Sequence, residues 1–311
     1  MARTVHFVHY AGAGDQARGR FISPSPRPRR PPALTSKGVL MLEEAAIIIG
    51  GGVGPMAGVA LHAKIIEQTL TNGTDQTHLT VFHHSCSPSI ADRTEYLDAL
   101  RNGNKASLPN PGEAMAEVFT RACTLPFEGG FVGGVPCNTF HAPAIFDQFH
   151  ASLHERRCPV RLVHMLDETI GLIGARLGKA PGEKGNGETI GLLATLGTRF
   201  SGVYDALLHK AGYRPLHLSP EDNARLHEAI YNREWGIKAV SPVTGAAAAR
   251  VAEMAGKLAE TGAGVVILGC TELPLALPGE RFGTALLVDP VQALARALVR
   301  EAAPHKLRPT V

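Results

Sequence analysis

Two passages of this chain are built alike, and together they limit the folds open to it. Residues 130–143 read GFVGGVPCNTFHAP, and residues 262–276 read GAGVVILGCTELPLA. Each is a glycine-flanked apolar run of strand length, then a cysteine, then small hydroxyl or amide residues, then a helix signal. The two cysteines, Cys137 and Cys270, lie 133 residues apart, about one domain length. This is the pattern of an internal duplication.

Comparable apolar runs recur at Ala45–Ile49, Leu79–His83, Val160–His164, Thr189–Ala194 and Leu286–Val288, with AGYRPLHLS as a further short strand. Helical periodicity fills the intervals, for example Met115, Val118, Phe119 and Ala122. Strands alternating with helices predict an α/β fold with mainly parallel sheets. With the duplication, this becomes two such domains with a crevice between them. The expected division is 43–157 for the first domain, with 285–304 returning to it, and 158–284 for the second.

Residues 1–42 are expected to stand outside the fold. Ser23–Pro32, SPSPRPRRPP, cannot bury enough apolar surface to fold alone. The segment is read as a disordered tail or as sequence upstream of a start at Met41; its Arg-rich, acid-poor composition is also that of a targeting segment. It distorts the charge of the whole chain. Residues 1–40 hold seven of the 31 Lys/Arg and one of the 28 Asp/Glu, so the rest carries 24 basic and 27 acidic residues, a net −3. A mildly acidic body argues against nucleic acid as a partner. No apolar run approaches the ~20 residues of a membrane span. Five cysteines, in no CxxC spacing, fit neither a disulfide framework nor a structural zinc site. The expectation is a cytoplasmic protein with reduced thiols, in which Cys86, Cys123 and Cys158 are structural.

Cys137 and Cys270 are different because of where they fall. The carboxyl end of a parallel strand is where open α/β sheets bind ligands. The helix that follows offers unpaired N–H groups able to hold a carboxylate and to lower a thiol pKa from about 8.5. Two such thiols facing one carbon from opposite sides could act together. One would take a proton as thiolate while the other supplied one as thiol, giving inversion with no cofactor.

At these residues the chain resembles the aspartate/glutamate racemase family, whose hallmarks are a PCNT and a GCTE segment. Here they are Pro136–Thr139 and Gly269–Glu272. GGVGPMAG (Gly51–Gly58), SIADRT (Ser89–Thr94), CPVRLVHMLDET, TIGLLATLGT and IYNREWGIKA are similar to further family segments, in order, from about residue 43 to 304. The resemblance implies two pseudo-symmetric Rossmann-like domains with the active site in the interdomain cleft, and a cofactor-independent racemase of an acidic amino acid, aspartate preferred and glutamate next, usually a homodimer and holding no metal. It makes Cys137 and Cys270 the two acid/bases. Arg93 and Lys238 would pair with substrate carboxylates, and Asn138, Thr139 and Thr271 would hold the α-carboxylate. Glu272 would orient the surroundings of Cys270, and Gly54 belongs to the opening glycine turn. Val53, Ala91 and Gly58 depart from the family's usual Met, Pro and Thr or Ser, which bears on side-chain specificity.

Other readings compete with this one. Gly52-x-Gly54-x-x-Ala57 is formally a dinucleotide fingerprint, but LTVFHHSCS closes the second strand without the acidic residue a nicotinamide enzyme needs. Adjacent His83 and His84 point to opposite faces of a strand and make a poor metal pair. Related isomerases, decarboxylases and hydantoin racemases share strand-end cysteines, and a non-catalytic amino-acid-binding protein could retain the scaffold. His141, four residues after Cys137, is placed to tune that thiolate.

Overall fold

The computed structural model describes residues 44–103 and 108–309; the expected N-terminal extension lies outside them. The first part of the fold runs β1 (Ala46–Gly51), α1 (Pro55–Gln68), β2 (Val81–Ser85), α2 (Arg93–Arg101), α3 (Pro111–Ala122), β3 (Phe131–Gly134), α4 (Pro143–Glu155), β4 (Val160–Leu162) and α5 (Met165–Arg176). It continues with β5 (Thr189–Ala194), α6 (Leu196–Ser201), α7 (Val203–Lys210), β6 (Arg214–His217), α8 (Pro220–Tyr231) and α9 (Gly245–Glu260). It closes with β7 (Val265–Gly269), α10 (Leu273–Ala276), β8 (Arg281–Phe282), β9 (Ala285–Val288) and α11 (Pro290–Ala302).

The strands form two sheets, in the orders β2-β1-β3-β4 and β6-β5-β7-β9-β8. All neighbours are parallel except β8 with β9. Leaving aside the antiparallel edge strand β8, the second order repeats the first position by position. The duplication read from the two cysteine passages is therefore a duplication of topology: β3 and β7 occupy the same place in their sheets.

Sheet membership differs from the expected division in two places. β4, placed in the second half by its position after residue 157, pairs with β3 and completes the first sheet. β9, expected to return to the first half, pairs with β7 in the second sheet. A parallel strand is held by its ladder, and each of these strands has its only parallel partner in the sheet it joins.

The part of that segment which does cross over is α11. It packs on α1, α5, β1 and β3, and its Val291, Leu294 and Leu298 are fully buried. Each such side chain contributes roughly 1.5–3 kcal/mol of burial free energy. The glycines of Phe-Val-Gly-Gly make room for this. A Cβ on Gly134 would stand 2.7 Å from Leu294 Cδ1, and one on Gly133 would stand 2.5 Å from Phe119 Cε1 of α3. Successive strand residues face opposite ways, so the pair lets a helix lie close on each face of β3. Asp289 fixes where α11 starts: its side chain caps the Val291 N–H at 2.8 Å and lies 3.3 Å from Lys64 of α1.

The chain therefore presents the carboxyl ends of its inner strands, β1, β3, β5 and β7, followed within three residues by Gly52–Gly54, Cys137, Thr195 and Cys270.

Candidate active site

Cys137 and Cys270 line one small cavity of about 20 Å³, at the loops that follow the inner strands. Asn138 and Thr139 join Cys137 from the first half, and Thr271 joins Cys270 from the second. Arg93 and Lys238 complete the walls, with Val53, Thr195 and Tyr231. Every cavity residue expected from the sequence is thus present, while Gly54 and Glu272 stand just behind the wall. The volume is room for about one water molecule. Both thiols are buried, Cys137 at 7 % and Cys270 at 6 % exposure.

Arg93 reaches the cavity because SIADRT starts a helix. Asp92 is the N-cap of α2 and accepts the N–H groups of Thr94 and Glu95 at 2.8 and 3.0 Å, a standard way of satisfying a helix start. The carboxylate is thereby occupied with backbone and stays 4.0 Å from the guanidinium of the next residue. Burial opposes the charge on Arg93, yet the neighbouring Cys137 sulfur and Asp92 hold its pKa above the ordinary value. Its Nε–H is buried with no partner. Ala91, where the family pattern has Pro, gives its carbonyl to Arg93 Nη1 at 3.3 Å.

Both ring nitrogens of His141 are taken up by backbone. Its Nδ1–H donates to the Cys137 carbonyl at 2.9 Å, and its Nε2 accepts the Met165 N–H at 3.2 Å. Full burial, with the nearby His164, pushes its pKa down to about 3. It is a neutral pin between the Cys137 turn and the first residue of α5.

Asn138 is oriented from the other half of the molecule. Tyr204 of α7 donates its hydroxyl to Asn138 Oδ1 at 2.6 Å. That fixes the amide so that Nδ2, buried and unpartnered, is the free donor. Thr139 makes a second bridge: its hydroxyl lies 2.8 Å from that of Thr198 and 3.3 Å from that of Thr195.

The Cys270 side carries a different electrostatic device. Lys238 is ion-paired with Glu272, whose side chain is only 4 % exposed. Burial opposes the Lys238 charge, but Cys270, Glu272 and Tyr231 together hold its pKa above the ordinary value. Lys238, expected from the sequence to pair with a substrate carboxylate, thus lines the cavity as a cation paired with Glu272. Gly54 is needed above this pair. Its φ of 110° falls where only glycine is unstrained, and a Cβ there would lie 3.0 Å from Glu272 Oε1. The expected lowering of the thiol pKa by a following helix fails here. Burial, reinforced by Glu272 and only partly opposed by Lys238 and the Glu272 backbone N–H, pushes Cys270 up to about 11. The helix after it, α10, has only four residues.

The departure at Gly58 also has a local cause. A Cβ at that position would run into the His83 ring, which packs edge-on to His62 with ring centroids 6.0 Å apart. Among the described residues, no group of three or more His, Cys, Asp or Glu is placed to hold a metal ion. Nor is any helix among them long and apolar enough to cross a membrane.

Val53, Thr195, Tyr204 and Tyr231 were not expected as site residues from their own sequence contexts. A Tyr on an amphipathic helix carries no local mark of function. Val53 alone had one, as a departure from a motif otherwise kept.

A parallel α/β fold with strand-end cysteines from two like-ordered sheets defines a class of protein. The Asp/Glu/Hydantoin racemase family profile matches residues 51–298, and the chain belongs to that family. Its fold is similar to that of Picrophilus torridus aspartate racemase, with a TM-score of 0.63, 20% identity, and coverage of 85% of this chain and 95% of that one. An aspartate racemase homologue from Pyrococcus horikoshii OT3 matches with a TM-score of 0.55 and 21% identity, over 84% of this chain and 99% of that one. Glutamate racemase from Bacillus anthracis gives 0.50 and 15%, covering 84% and 83%.

Proposed function

We propose that the chain racemises an acidic amino acid, aspartate first and glutamate second, without a cofactor, using Cys137 and Cys270 as paired acid and base. One observation supports this above the rest: two cysteines from equivalent strand ends share one small cavity, each beside a cation. The family's membership supports racemase chemistry in general.

In the proposed reaction the substrate carboxylate takes the two unpartnered buried donors, Arg93 Nε–H and Asn138 Nδ2–H. Charge-assisted bonds of this kind are the strong ones. One thiolate accepts the Cα proton, and the electron pair left behind delocalises into that carboxylate, where the same donors stabilise the added charge. The opposite thiol delivers its proton to the other face. Cα is then inverted, one thiol has become thiolate and the other thiol, and the reverse reaction uses them with roles exchanged. A cavity of about 20 Å³ has to open for an amino acid to enter, and the two half-sites, on separate sheets, are the walls that part. A homodimer in the cytoplasm belongs to the same proposal.

The Lys238–Glu272 pair supports a second reading. With that charge offset, Arg93 is the only cavity cation not paired to a buried carboxylate, so a substrate with one carboxylate and a neutral side chain is also accommodated. Chiral chromatography after incubation with each proteinogenic amino acid separates the two. Aspartate or glutamate racemised at least tenfold faster than any neutral amino acid supports the first; a neutral amino acid turned over fastest supports the second. No racemisation of any of them refutes both.

A further inference from the structure

Two cysteines that the proposed chemistry does not use stand together on the first half of the fold. Cys123 and Cys158 have their sulfurs 3.0 Å apart, both free and half-buried. Their placement is set by two helix ends. Cys123 is the C-cap of α3. Cys158 follows α4, which ends in a Schellman motif: the Cys158 N–H donates to the Leu153 carbonyl at 3.0 Å, and the Arg157 N–H to the His154 carbonyl at 3.0 Å. That motif needs a left-handed residue, usually glycine, and here Arg157 supplies it with φ 52°, the only non-glycine positive φ among the described residues. The backbone is held in an unfavourable conformation that sets Cys158 against the end of α3. Arg156 and Arg157, both exposed, stand directly before it.

We propose that Cys123 and Cys158 form a reversible intramolecular disulfide, closed by thiol–disulfide exchange with an anionic low-molecular-weight disulfide of the glutathione type. The Cys158 thiolate attacks one sulfur of the small disulfide, breaking its S–S bond and releasing one thiolate. The resulting mixed disulfide is attacked at Cys158 Sγ by Cys123, which gives its proton to solvent and expels the second thiolate. Two protein thiols are oxidised and the small disulfide is reduced to two thiols, so electrons and protons balance. The order follows from burial: it leaves Cys123 holding its proton more firmly than usual, with the bond to Cys158 adding to the effect. The two arginines attract the anionic oxidant. The closed loop would run from 123 to 158 and contain β3, Cys137 and α4, so the cross-link ties together both ends of the segment that carries one candidate catalytic thiol.

The test uses the full chain with Cys137 and Cys270 both changed to Ser, so that neither racemisation nor those thiols enters the result. The protein is incubated with oxidised glutathione and digested without reduction. The proposal requires a Cys123–Cys158 cross-linked peptide two hydrogens lighter than the sum of its parts, reversed by dithiothreitol. It also requires an upward shift in Tm of several degrees, as expected for a cross-link closing a loop of this size. Cys158→Ser must abolish both. A glutathione adduct that persists on either cysteine, no loss of the two thiols, or a cross-link that uses Cys86 instead each overturns it.

Discussion

The two cysteine half-sites come from the same position in like-ordered sheets, yet they are electrostatically unlike. Cys137 faces Arg93, whose nearest carboxylate, Asp92, is spent on capping α2. The rest of its support is neutral: His141 behind its carbonyl and the Tyr204–Asn138 bond beside it. Cys270 faces Lys238 already paired with buried Glu272, and its thiol is pushed up to about 11. A duplicated fold reproduces strand order and places the sulfurs; the charge around each is set by side chains the two halves do not share, Arg93 on one side and the Lys238–Glu272 pair on the other. The comparison teaches that topology supplies two thiols, while burial, reinforced by Glu272, decides how readily Cys270 gives up its proton.

The largest effect expected is from the thiols themselves. Cys137→Ala and Cys270→Ala should each cut racemisation by about 10²–10⁴, the usual contribution of a general acid or base, read by chiral chromatography. If one variant stays fully active, the halves are not partners. Next is Arg93→Ala, which removes a charged donor worth roughly 1.5–3 kcal/mol and should lower kcat/KM by about 10–100-fold. Arg93→Lys should recover only part of that, because Lys cannot offer the planar fork.

His141 tests the neutral support of the first half-site. Its pKa is about 3 in the fold against 6.5 for an ordinary His, so the unfolded chain binds the extra proton in that window. Its contribution to stability is present above pH 6.5 and lost as pH falls toward 3, at about 1.4 kcal/mol per pH unit. Urea unfolding from pH 7 to 5 should show a shallower fall in His141→Asn than in the parent chain. An unchanged slope would mean that the ring is not buried neutral.

Glu272→Gln sharpens the contrast from the other side. Removing the carboxylate takes away one cause of the raised Cys270 pKa, so that thiol should ionise at lower pH. Its iodoacetamide labelling at pH 8, followed by peptide mapping, should quicken about tenfold for each unit the pKa falls. Labelling of Cys137 should barely change. Tyr204→Phe is the mildest case: the Asn138 amide loses an orienting bond worth about 1 kcal/mol, and kcat/KM should drop about fivefold.

Much of this was legible in the chain. Thr189–Ala194 and Val265–Gly269 are strands with those same limits, because uninterrupted apolar runs between polar segments leave few alternatives. The cysteine pair was legible because its context occurs twice. Helix α2 was not anticipated: nine residues with sparse apolar periodicity give a weak signal, although Asp92 as N-cap and Glu95 three positions later mark its start. The Lys238–Glu272 pair was also hidden, since 34 residues and a β-strand separate the partners and neither local context points to the other. Sheet membership of β4 and β9 depended on which ladder each strand met, a long-range choice that strands of three and four residues do not encode. The contact between Cys123 and Cys158 has the same origin, since two helix ends, 35 residues apart, bring the sulfurs together.

The most direct test of the two-thiol account follows hydrogen at Cα. L-Aspartate is incubated with the protein in D₂O, and both enantiomers are separated and weighed by mass spectrometry at early times. The account predicts deuterium at Cα of the D-aspartate formed, at one atom per molecule, and D-aspartate reduced at least about a hundredfold with either Cys137→Ala or Cys270→Ala. D-Aspartate formed without solvent deuterium, or formed equally well by a single-cysteine variant, would contradict it.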